Sequence, residues 1–86
     1  MVTEAELKAV KSNHVVDGRR DCCPGAPTWA AKRMMISVKA GQIMEVLSAD
    51  AVTNRGLPAW ARKVGHEFLG ALEGPGYARL FIMRTR

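Results

Sequence analysis

Cysteine is scarce in this 86-residue chain, and the two it has, Cys22 and Cys23, are neighbours. Adjacent cysteines close only a small, strained ring, so they cannot staple distant segments of a fold. Two adjacent thiols and two distant histidines, His14 and His66, lack the ligand spacing of a zinc site, and neither metal nor cofactor is expected. Aromatic residues are few, at 6%, so the core must rest on Val, Leu, Ile, Met and Ala. No apolar run approaches the roughly 20 residues that span a bilayer. Met1–Lys11 mixes Glu4, Glu6, Lys8 and Lys11 among its apolar residues, which leaves no uninterrupted hydrophobic stretch of a secretory signal. The expectation is a cytoplasmic protein with no membrane partner and with thiols available for chemistry.

What is present fits a single folded domain. Hydrophobic residues make up 48% of the chain, which argues against disorder. The net charge of +5 favours acidic partners. The basic residues are scattered in runs no longer than two, so a solvated basic surface is the default and a nucleic-acid stripe is disfavoured.

Patterning along the chain gives the elements. Thr3 and Glu6 have the spacing of a capping box, and Thr3–Lys11 reads as a short helix or a frayed lead-in. His14–Asp17 is a brief strand that ends at Gly18. Pro27, Ala30, Ala31, Met34, Met35 and Val38 recur at helical spacing, and Ala40-Gly41 is expected to close that helix. Gln42–Ala49 reads as a strand, Asp50–Gly56 as a loop, and Leu57–Val64 as a short helix with Pro58 in its first turn. His66–Leu72 and Tyr77–Arg84 form a hairpin around Gly74-Pro75-Gly76. The order β-α-β-α-β-β predicts an α/β two-layer sandwich, with two helices on one face of a four-stranded mixed sheet. Residues 1–13 form the lead-in and residues 14–86 the domain.

Chemistry is expected at Cys23, which follows a strand and directly precedes the first long helix. A helix N-terminus offers free N–H groups and partial positive charge, which favour thiolate over thiol. Arg19, Arg20 and Lys32 add positive charge, Asp21 opposes it, and Pro24 and Pro27 stiffen the segment. On these grounds alone, a buried, inert structural cysteine remains an equal alternative.

In its motifs the chain resembles the TusA-like (SirA-like) sulfur-carrier family from about His14 to Arg84. Asp17, Arg19, Cys23 and Pro24 match a strand ending in Asp, followed by a basic residue and Cys-Pro. Ala40-Gly41-Gln42 loosely matches a Pro-Gly-Glu turn. Asp50, Arg55, Leu57 and Pro58 match an Asp followed by an Arg-Asp-Ile-Pro segment, and Gly65-His66-Glu67 reproduces a Gly-His-Glu step. Two departures stand out. The second proline arrives one residue late, giving Cys-Pro-Gly-Ala-Pro, which predicts a bulged first turn or a later helix start. Gly56 stands where the family has an Asp expected to cap the second helix.

The resemblance implies sulfur relay, a sulfurtransferase activity. A donor protein, such as a cysteine desulfurase or a rhodanese, loads a persulfide onto Cys23, and the sulfur passes to an acceptor protein. Uses in the family include tRNA thiolation, molybdenum-cofactor supply and sulfur oxidation. Arg19, Arg20, Lys32 and Arg55 are the candidate docking cations. Cys22 reads as a bystander, the alternative being attack on the Cys23 persulfide. His66 reads as a hydrogen-bonded histidine at a strand start. Two other functions compete: a non-catalytic regulatory or interaction module on the same fold, and a basic nucleic-acid-binding domain that stacks bases on a sheet face carrying Tyr77 and Phe81.

Overall fold

The computed structural model describes residues 3–20 and 25–86. Its elements run α1 (Glu4–Ala9), β1 (His14–Gly18), α2 (Ala26–Met34), β2 (Ile43–Ser48), α3 (Ala51–Lys63), β3 (Glu67–Gly74) and β4 (Tyr77–Met83). The four strands form one mixed sheet in the order β1-β2-β4-β3. β1 pairs parallel to β2, with Val16 opposite Val46. β4 runs antiparallel to β2 on one side and to β3 on the other. The expected α/β sandwich is therefore present. The last strand, β4, is central, and the sheet edges are β1 and β3.

Alternation along the strands decides what each face buries. Val16, Met44, Val46, Ala78, Leu80 and Ile82 point toward α2 and α3, where they meet Ala31, Met35, Val38, Leu57 and Ala61. This aliphatic layer is the main core, built as the low aromatic content requires. Phe81 faces the other way and is fully buried beneath Leu7 of α1, beside Leu72. The capping box that starts α1 is formed: Glu6 N–H donates to Thr3 Oγ1 at 3.1 Å, and Thr3 N–H to Glu6 Oε1 at 3.3 Å. Phe81 is thus closed to base stacking, because α1 covers it; Tyr77 is half-buried, with the Arg19 guanidinium 5.1 Å from its ring centre.

Both sequence-predicted helices shift. α2 ends at Met34, before Ala40-Gly41. The stripe continues to Val38 because Ile36, Ser37 and Val38 donate to carbonyls three residues back, a tighter turn that keeps Met35 and Val38 facing the sheet. Arg84 closes this end, with Nη1 donating to the carbonyls of Met35 (2.6 Å) and Val38 (2.8 Å). α3 starts at Ala51, well before Leu57, and Asp50 is its N-cap. Thr53, Leu57 and Ala61 share its buried face, so the stripe extends back through the segment predicted as loop. Pro58 lies inside α3 and brings no N–H to the Asn54 carbonyl. Gly56 sits exposed within the helix rather than at its cap. Among the described residues no helix is long and apolar enough to cross a membrane.

Candidate functional site

Cys22, Cys23 and Pro24 lie outside the described residues. What the structure defines is the frame on either side of them. Upstream, β1 ends at Gly18, and Pro27 of α2 packs directly on that glycine. A Cβ at position 18 would stand 2.6 Å from the Pro27 ring, so only glycine admits this approach. Downstream, Gly25 is the N-cap of α2, with φ of 86°. α2 begins at Ala26, and the displaced Pro27 falls within its first turn, where its missing N–H breaks no helical bond. The late proline therefore delays the helix less than the sequence suggests: Cys23 precedes the N-cap by two residues.

Asp50 joins this junction to the next helix. Its Oδ1 accepts from Val52 N–H at 2.9 Å, which caps α3. Its Oδ2 accepts from Gly25 N–H at 2.5 Å and from the Thr53 hydroxyl at 2.7 Å. One carboxylate thus holds the starts of α2 and α3 together. The Gly25 N–H, the Thr53 hydroxyl and the Val52 N–H keep its pKa below the usual aspartate value. The same bonds thin the supply of free donors at the α2 N-terminus, since the Gly25 N–H is taken and Pro27 has none.

The four cations predicted for this region do not form one patch. Arg19 is committed to Asp17: Nε reaches Oδ1 at 2.9 Å, Nη2 reaches Oδ2 at 2.8 Å, and the Arg19 backbone N–H adds a third bond at 3.1 Å. The side-chain pairing, then the backbone bond, lower the Asp17 pKa to about 2. Arg20 is exposed at the end of β1, and Arg55 is exposed early in α3. Lys32 lies in the last turn of α2, roughly 10 Å along the helix from Gly25. Its ammonium sits 5.9 Å from the Trp60 ring centre. Lys32 is therefore at the far end of α2 from Gly25.

Two apolar side chains at the junction were missed by the sequence reading. Trp29, one turn into α2, is 73% exposed, and Val52, in the first turn of α3, is 50% exposed. Val52 lies against Gly25, 3.6 Å from where a Cβ would stand. The available signal was the register: Trp29 falls off the apolar stripe of α2, where a large aromatic has no core to enter.

Comparison with known proteins places this frame among relatives. The sequence profile described as sulfurtransferase TusA matches residues 14–84. A candidate sulfur carrier protein of Archaeoglobus fulgidus is 32% identical over 72 residues, covering 84% of this chain and 97% of the relative. YrkI of Bacillus subtilis, also named as a candidate sulfur carrier, is 35% identical over 75 residues, covering 87% of this chain and 99% of the relative. In three dimensions the chain is similar to a SirA-like protein from Desulfitobacterium hafniense, with a TM-score of 0.66 at 20% identity, covering 85% of this chain and 99% of that one. That likeness concerns the fold alone.

Proposed function

The chain belongs to the TusA sulfurtransferase family, and from that premise we propose that it is a sulfur carrier that relays sulfane sulfur as a persulfide on Cys23. The observation that carries this reading is the meeting of two helix N-termini at Gly25, two residues after Cys23. The α2 N-terminus directs partial positive charge toward the cysteine segment, which favours anionic sulfur, and the Asp50 carboxylate between the two helix starts offsets part of it.

The chemistry is thiol exchange and needs no cofactor. The Cys23 thiolate attacks the terminal sulfur of a donor cysteine persulfide. A new S–S bond forms, the donor's S–S bond breaks, and the donor cysteine departs as a thiolate. An acceptor thiolate then removes the terminal sulfur by the same step, and Cys23 returns as thiolate. The oxidation state of the transferred sulfur is kept throughout, so no external oxidant or reductant enters. The donor class is a cysteine desulfurase or rhodanese-like protein, in the reducing cytoplasm where thiols persist.

Docking uses Trp29 and Val52 as apolar anchors, with Arg20 and Arg55 as the charged rim. Exposed aromatic and arginine side chains are the residue types that most often dominate binding energy. Arg19 contributes to the shape of the β1 exit through Asp17, and Lys32 lies too far along α2 to belong to the same footprint.

Mass spectrometry after incubation with a persulfide donor tests the proposal. The wild-type chain gains one sulfur atom, Cys23→Ser abolishes the gain, and Cys22→Ser keeps it. Loading by both single variants would remove Cys23 from its assigned role.

A further inference from the structure

We propose that Asp50 is a positioning residue for sulfur transfer, whose carboxylate fixes the backbone immediately after Cys23 in the orientation from which the sulfur reacts with a partner protein. This rests on the carrier reading above and adds a residue to which that reading gives no role.

Chain chemistry singles out the bond. Pro24 has no N–H, so the first backbone donor after Cys23 is that of Gly25. That donor is the one Asp50 Oδ2 accepts, at 2.5 Å. No backbone N–H downstream of Cys23 lies nearer in sequence. Gly25 also has the left-handed conformation (φ 86°), so the chain turns sharply at the gripped residue.

The grip is rigid on the other side. The Asp50 backbone is tied to the fully buried Ser48 at the end of β2, with Asp50 N–H donating to Ser48 Oγ at 3.2 Å and that hydroxyl donating to the Asp50 carbonyl at 3.3 Å. The side chain is fixed by Val52 N–H and the Thr53 hydroxyl. Asp50 thus transmits the position of the sheet to the cysteine segment. Asparagine cannot replace it, because both carboxylate oxygens of Asp50 face donors. An amide nitrogen at either place meets an N–H group.

The experiment compares Asp50→Ser, Asp50→Asn and Gly25→Ala with wild type. Serine caps α3 as aspartate does but is too short to reach Gly25. Two rates are followed against pH: sulfur loading from a protein persulfide donor, and alkylation of Cys23 by iodoacetamide. For Asp50→Ser the high-pH plateau of loading is expected to fall at least tenfold. Its alkylation plateau is expected to stay near wild type, because a small alkylator needs no fixed approach; its melting temperature falls with the lost Gly25 and Thr53 bonds, so both rates are read at temperatures where the variant is folded. Asp50→Asn loses loading in the same way. Gly25→Ala gives a similar loss, and the Asp50→Ser, Gly25→Ala double variant loses no more than either alone.

Wild-type loading plateaus in Asp50→Ser and Asp50→Asn would overturn the clamp and leave the carrier reading standing. So would a shifted pH midpoint with an unchanged plateau, which marks a carboxylate acting by its charge alone. Fully multiplicative losses in the double variant would also overturn it. A wild-type chain that never gains sulfur on Cys23 removes the carrier reading itself, and the clamp's role with it.

Discussion

The two faces of the sheet are built differently. One carries α2 and α3 over a continuous aliphatic layer that includes Met44, Val46, Leu57, Leu80 and Ile82. The other is covered by the six-residue α1, through Leu7 over Phe81 and Leu72. Beside that small cluster the second face holds a polar link. Arg79 Nε donates to Glu45 Oε2 at 2.8 Å and Ser12 Oγ donates to Glu45 Oε1 at 2.7 Å. The contrast assigns different work to the two faces. The thick face sets the positions of the helix starts that frame the cysteine segment, while the thin face seals the back of the sheet and ties residues 10–13 to β2 and β4.

Removing one large side chain from each face separates their roles. Leu57→Ala opens a hole in a layer where Leu57 is fully buried, and is expected to cost about 2–5 kcal/mol. The loss spreads to the site because Leu57 anchors the helix that Asp50 caps. Leu7→Ala is expected to cost less, up to about 3 kcal/mol, because α1 can shift over the gap. It should leave sulfur loading unchanged at temperatures where the variant is folded. Denaturant titration beside the loading assay checks both. Equal stability losses with equal loss of loading would show that the two faces are not separable in this way.

Glu45→Gln tests the polar link on the thin face. Burial pushes the Glu45 carboxyl up, but the bonds from Arg79 and Ser12 together outweigh it and hold its pKa below the ordinary 4.5. A carboxyl lowered by folding adds stability above its unfolded pKa, and that stability drains away as pH falls below about 4.5. Melting temperatures of Glu45→Gln are therefore expected to sit a few degrees under wild type at neutral pH and to converge on it in acid. A constant gap at every pH would show that the link is not ionic.

Legibility in the sequence follows the same physical divide. The element order and the α2 stripe could be read because apolar periodicity reports burial directly. The α3 start could not, because Gly56 and Pro58 are strong local breakers. Tertiary packing of Thr53 and Leu57, with the Asp50 cap, overrode them. Phe81 looked available because alternation separates two faces without saying which one is covered. The cover came from α1, a segment too short to be stable alone. At the site, Asp50 was visible as a family landmark. Its grip on Gly25 spans 25 residues of sequence and is set by the parallel pairing of β1 and β2. Lys32 shows the opposite case: closeness in sequence suggested it for the site, whereas the helical rise carries it along α2 away from Gly25.

The smallest expected effect belongs to His66, where the thick face ends. Burial, then the charges of Arg84 and Arg86, push its pKa below the ordinary 6.5. Its Nδ1 accepts from Thr85 N–H at 3.3 Å, which places the ring proton of the neutral form on Nε2. Protonation at Nδ1 breaks that bond and adds a cation beside two arginines. The sign follows from linkage. The unfolded chain binds the proton more readily, so His66 favours the folded state above 6.5 and opposes it as pH falls below that value. His66→Gln keeps a hydrogen-bonding side chain without a proton that titrates in this range. The variant is expected to lose the decline in stability just below pH 6.5 while keeping the later one set by Glu45. Chemical denaturation at closely spaced pH values reads this as a flattened step. An unchanged step in His66→Gln would show that His66 does not set it.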